Sequence, residues 1–251
     1  MTGMLDAIAR RGPWLMLLAR TALFAFYQAL IALVFLIAGS PEPWTRSVAW
    51  WPLAAIFANA DTLGLLWLAA RREGIRFWHL YNFDRTSVKL DLLWVLGAVA
   101  VSAPLAYFPN VWLAEALFED PTTPATMMFQ TLPLWVVWTA LALLPLTIAL
   151  SELPAYYGYA MPRIRKHVGG VWWVPLVVGL AHALQHITLP LVFDASFALW
   201  RFGMFLPFAV FLGYVIDRRP SLLPYLMVIH GLLDLQLPLM LLAVASGAQL
   251  W

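Results

Sequence analysis

Seven runs of mostly apolar residues, each about 20 residues or longer, divide the chain: 13–38, 48–70, 92–118, 132–159, 171–193, 197–216 and 222–245. A hydrocarbon core of about 30 Å takes about 20 such residues to cross as a helix. Inside it, every backbone polar group must be paired within the protein, which leaves helices as the solution for runs of this length. Gly39-Ser40-Pro41-Glu42-Pro43 and Glu119-Asp120-Pro121 punctuate the runs. The third run carries Pro104 and Pro109, and a break there would raise the count to eight. Only 11% of the residues are charged and the mean hydropathy is +0.80, against about 25% charged in soluble domains. No polar stretch is long enough for a soluble domain. Residues 1–251 therefore read as a single integral membrane domain, an all-α polytopic transmembrane bundle of about seven helices. The absence of cysteine excludes disulfides, thiol catalysis and thiolate-held metals. Arg10 and Arg11 precede an apolar run as in a signal peptide, but its length and the spans that follow make it a first helix.

The charges orient this bundle. Arg10, Arg11, Arg71, Arg72, Arg76, Arg85, Lys89, Arg163, Arg165, Lys166, Arg218 and Arg219 fall on one side of a seven-helix arrangement. Arg46 and Arg201 fall on the other, and Arg20 lies within the first helix. Positive loops stay in the cytoplasm, which predicts a cytoplasmic N-terminus and a C-terminus on the opposite side of a bacterial-type inner (cell) membrane. The basic loops set topology and attract anionic membrane lipids. No motif points to nucleic acid.

Titratable groups are rare in hydrocarbon, and those that occur face a polar interior and mark function. Glu152, His182, His186, His230 and Asp234 all lie inside apolar runs. His182 and His186 are four apart, as are His230 and Asp234, so each pair shares a helix face. Glu152 is eleven residues from Arg163, His182 twelve from Gly170 and His230 eleven from Arg219. At 1.5 Å per residue all three sit about 16–18 Å deep. Arg20 and Asp61 have similar depths on the first two helices, which predicts a buried ion pair between them. Asn59 and Gln28 are expected to bridge helices, and His79 and His167 to face water.

Each residue also has a plainer reading. A lone intramembrane histidine is most often a helix–helix hydrogen bonder. Asp234 can simply pair with His230 one turn away, and Tyr156 and Tyr157 can simply pack. His182-Ala-Leu-Gln-His186 lacks the glutamate that a zinc-protease HExxH helix needs. A distributed zinc site of histidines and a carboxylate from separate helices stays open.

The order of motifs resembles the CPBP family, the CAAX proteases and bacteriocin-processing proteins, whose pattern is EExxxR, FxxxH and HxxxN or HxxxD. Glu152 stands at the first motif, Val178-Gly-Leu-Ala-His182 at the second and His230-Gly-Leu-Leu-Asp234 at the last, within a core of residues 132–245. Leu153 stands where the family has its second glutamate and Tyr157 where it has arginine. The resemblance implies an intramembrane endopeptidase acting on membrane-associated proteins or peptides, working either with a metal or by glutamate alone. Glu152 would activate water. His182, His230 and Asp234, with His186, would hold a metal such as zinc or polarise the scissile carbonyl. Arg20 is expected to supply the charge that Tyr157 lacks, with Tyr157 and Asp61 supporting. A water-filled cavity open to the cytosol is expected. Two further classes fit the same residues: an inactive scaffold or partner subunit of another membrane protein, and a proton-coupled transporter.

Overall fold

A computed structural model of the chain describes the backbone of residues 2–248 and the side chains of residues 11–248. The side chain of Arg10, counted above among the cytoplasmic charges, lies outside the described residues. In chain order the elements are α1 (Thr2–Ile37), a short α2 (Pro43–Val48), α3 (Trp51–Arg72), a 3-10 turn (Phe77–Tyr81), α4 (Val88–Leu117) and a short α5 (Thr123–Met128). They continue with α6 (Leu134–Leu153), a π-helical stretch (Pro154–Ala160), α7 (Met161–His167), α8 (Val174–Leu184), α9 (Ala195–Arg218), α10 (Leu223–Asp234) and α11 (Gln236–Ala245). There is no strand among the described residues. Among the described residues, six stretches are long and apolar enough to cross a membrane: Arg11–Ile37, Trp51–Arg72, Val88–Leu117, Leu134–His167, Ala195–Arg218 and Pro220–Ala245. The chain is thus a helical integral membrane bundle. α4 runs through Pro104 and Pro109 without a break, so no eighth helix arises.

The fifth apolar run behaves differently from its expectation. Its helix covers only Val174–Ile187, about 21 Å long at 1.5 Å per residue. It tightens to a 3-10 turn at Gln185–Ile187 and gives way to irregular chain. Pro190 lacks an N–H and could not continue a helix. Non-helical backbone at membrane depth survives only where protein buries and pairs it, and three side chains do so here. Gln28 donates to the Leu191 carbonyl (2.8 Å) and accepts from the Leu191 N–H (2.7 Å). Trp44 donates to the same carbonyl at 3.1 Å. Arg201 donates to the carbonyls of His186 (3.3 Å) and Leu189 (2.7 Å). Arg201 is therefore a buried cap on this helix end, not the flanking charge that its place near the start of a run suggested. Gln28 likewise serves loop backbone rather than a neighbouring helix. Arg201→Ala is expected to cost about 1–3 kcal/mol for each carbonyl left unpaired, read as easier unfolding in mixed micelles. Stability equal to wild type would remove this role.

Two local features bring the remaining helices onto the site. Pro154 removes the N–H that would pair with the Leu150 carbonyl. The helix widens into a π turn, and the Tyr81 hydroxyl donates to that carbonyl at 3.4 Å. Every residue of Pro154–Ala160 is buried, so this widening does not admit water. On α10, Gly231 lets the helix press against α6: a Cβ there would come within 2.9 Å of the Pro145 carbonyl oxygen and 2.8 Å of the Ala149 Cβ. Gly231→Val is expected to destabilise the fold by about 1–3 kcal/mol through overpacking and to lift His230 off the site. An unchanged thermal melt would count against that contact.

The cationic ends converge. Arg163 pairs with Glu73 through two hydrogen bonds, Arg165 pairs with Asp217, and Arg219 donates to Asp91 at 2.5 Å. These links join the ends of α3, α7, α9 and α4 on the arginine-rich face. The Arg163–Glu73 and Arg165–Asp217 pairs are partly exposed and add at most about 1 kcal/mol each, whereas the Asp91 carboxylate is buried beneath Arg219.

Candidate functional site

The polar layer converges on one carboxylate. Glu152, at the end of α6, is fully buried. Its Oε1 lies 2.9 Å from His182 Nε2 on α8 and 3.0 Å from His230 Nε2 on α10. Its Oε2 accepts from Arg20 Nη2 on α1 at 2.9 Å. Four helices thus meet at two oxygen atoms. The guanidinium is itself held at three points. Nε donates to Gln185 Oε1 (2.7 Å) and Nη1 to Ser151 Oγ (3.0 Å), while Ser151 donates to Asn59 Oδ1 (3.2 Å). Asn59 also donates to Thr147 at 3.1 Å, the helix bridge expected of it. An unpaired buried charge would be costly, but here the carboxylate and guanidinium neutralise each other and nearby polar atoms take up further donors.

Arg20 therefore does not pair with Asp61, contrary to the expectation from depth. The two share a depth but lie in different directions around their helices. Asp61 is exposed on the outer surface and accepts from the Tyr27 hydroxyl at 2.6 Å. It is not part of the site.

His182 is fixed from three sides. Tyr156 stacks on its ring with centroids 5.0 Å apart. The Tyr157 hydroxyl lies 2.8 Å from His182 Nδ1 and also 2.8 Å from the Ala209 carbonyl oxygen. That hydroxyl has one proton to give. When it goes to Nδ1, the imidazole carries its own proton on Nε2 and donates to the Glu152 carboxylate. Tyr157 is thus a partner of the site rather than simple packing. His79 and His167 are exposed on the arginine-rich face, as expected.

His186 and Asp234 sit one layer out. His186 Nδ1 is 3.1 Å from the His182 carbonyl oxygen, and its ring stacks on Phe205 with centroids 3.5 Å apart. Asp234 Oδ2 is 3.4 Å from His230 Nε2 but is buried with no hydrogen-bond donor among the described residues. The site is open at this edge. The side chains of His230 and Asp234 are 13% and 16% exposed, whereas Glu152 and His182 are at 1%. The expected water-filled cavity does not reach Glu152. A recess of about 610 Å³ on the arginine-rich face includes Tyr157 in its wall, while the carboxylate behind it is enclosed.

The fit to a metal can be tested on the donors. Glu152, His182 and His186 each offer one ligand atom, all within 4.8 Å of one another. Two histidines and a glutamate form a zinc donor set. Each ligand also has its second atom fixed by a neighbour: Oε2 by Arg20, His182 Nδ1 by Tyr157 and His186 Nδ1 by the His182 carbonyl. This is how ligating groups are usually oriented. The set differs from that implied by the family pattern, since His230 and Asp234 fall outside it.

Gln185 and Ser151 carry no motif of their own in the sequence, and Arg201 reads there as a flanking charge. Gln185 and Ser151 adjoin His186 and Glu152, so depth alone marked them. Arg201 was recognisable as a charge inside an apolar run. Comparison of the chain with protein-family models, curated proteins and solved structures returns no match.

Proposed function

We propose that the chain is an intramembrane hydrolase of the CPBP type, cleaving peptide bonds of membrane-associated substrates. One observation carries the reading: two histidines from different helices meet one oxygen of a buried glutamate whose other oxygen is held by an arginine. Arg20 holds Oε2 of Glu152 and aims the carboxylate. A water entering beside His230 displaces that hydrogen bond, and Glu152 takes its proton as the water attacks the carbonyl carbon. His230 Nε2–H then donates to the carbonyl oxygen as charge builds there. Glu152 returns the proton to the departing amine. Asp234, with an oxygen free, orients His230 or accepts a substrate N–H. A zinc ion would be held by Glu152, His182 and His186 and would supply Lewis-acid polarisation, with Glu152 then a ligand rather than the base. By the positive-inside rule, the arginine-rich face and the N-terminus would face the cytoplasm of a cell membrane in this reading.

The enclosure of Glu152 favours one alternative, an inactive scaffold that keeps the polar layer for stability. Reconstitution of the full chain with a library of single-span peptides separates the two. Mass spectrometry should find new termini in or beside the span with wild type and none with Glu152→Gln. Absence of cleavage by wild type across the library would favour the scaffold.

A further inference from the structure

The redirection of Arg20 to Glu152 leaves Asp61 stranded. It lies ten residues from Trp51 and ten from Arg71 on the twenty-two-residue α3, about 15 Å from either end. It is exposed on the outer surface of the bundle. Among the described residues its one donor is the Tyr27 hydroxyl, which brings no opposite charge. The surroundings are apolar. Tyr27 stacks on Phe57 (centroids 5.4 Å apart) and meets Phe26 edge-on. An intramembrane carboxylate facing outward calls for a partner.

The helix face around it is shaped for one. Phe57, Asp61, Gly64 and Leu68 recur at helical spacing and are all exposed. Ala60 and Gly64, four apart, add a small-residue step of the kind that lets helix backbones approach closely. A Cβ at Gly64 would meet nothing within 4 Å. Beside Gly64 lies a groove of about 410 Å³, walled by Trp67, Trp78 and Leu150.

Charge decides the occupant. A second copy cannot neutralise Asp61 with a matching arginine: Arg20 and Arg201, the arginines within the spans, are buried and engaged. The other described lysines and arginines sit at helix ends, in connections or, for Arg11, at the boundary of the first span. We propose that the Phe57–Asp61–Gly64–Leu68 face of α3 docks a transmembrane helix of another protein that carries a lysine or arginine near its midpoint. This does not depend on whether the chain hydrolyses peptides.

The test uses the full chain, acceptor-labelled, in phosphatidylcholine vesicles. The probe is a donor-labelled Leu/Ala transmembrane peptide of about 20 residues with a single central lysine, compared with the same peptide carrying leucine there. Energy transfer should report at least ten-fold tighter association of the lysine peptide. Asp61→Leu and the near-isosteric Asp61→Asn should both abolish that preference. Gly64→Leu should weaken binding of the lysine peptide several-fold. Equal association of the two peptides with wild type, or a preference that survives both Asp61 variants, would overturn the proposal. So would energy transfer between donor- and acceptor-labelled copies of the chain that is lost in Asp61→Leu without any peptide preference, which would make the occupant a second copy.

Discussion

Glu152→Gln is expected to abolish cleavage of any substrate the wild-type chain cuts, with a fall of at least about 10²–10⁴-fold, the range contributed by a general base. The amide has nearly the shape of the carboxylate but cannot take a proton from water. It also presents an NH₂ on one side, where the carboxylate meets three nitrogens, from Arg20, His182 and His230. Some stability is lost as well, so turnover must be measured on protein whose thermal melt shows it folded. His230→Ala gives a second reading. It removes the proposed carbonyl donor at the exposed edge while leaving the Arg20–Glu152 pair and His182 in place. Unchanged turnover in folded Glu152→Gln would end the assignment of Glu152 as the base.

Arg20→Leu is expected to cost about 3–5 kcal/mol, the usual penalty for removing one partner of a buried ion pair. The penalty arises because Glu152 loses its buried counter-charge, with Ser151 losing its donor and Gln185 keeping only the Tyr156 hydroxyl. The double variant Arg20→Leu, Glu152→Gln should recover much of the loss, since no isolated charge then remains. A double-mutant cycle by unfolding in mixed micelles measures the coupling. Additive losses would show that the two residues contribute independently, against the geometry of direct pairing.

The depth count was enough to foresee that Glu152, His182 and His230 share a layer, because helical rise is nearly fixed and the arginine flanks mark a common origin. It could not give direction around each helix axis. Depth therefore leaves Arg20 free to meet either Asp61 or Glu152, and the structure pairs it with Glu152 across the bundle on α6. The same count treated residues 171–193 as one helix, since hydropathy registers apolar content and not the hydrogen-bonding state of Thr188–Leu191. The family pattern drew attention to Tyr157 as a missing arginine. Its real contact, with His182, follows from the π turn after Pro154, a local widening that has no periodic signature in the sequence.

The unwound stretch after α8 also bears on how the chain enters a membrane. A segment with some 21 Å of helix is too short to partition across the bilayer on its own hydrophobicity. Its backbone becomes tolerable in lipid only when Gln28, Trp44 and Arg201 reach it. Two of these are synthesised earlier and one later. The insertion machinery would therefore have to hold the fifth segment until α9 has emerged, and the two would then enter as a hairpin against a waiting α1. A nascent chain halted before Ala195 should leave this segment extractable by alkali, whereas one extended beyond Arg218 should not.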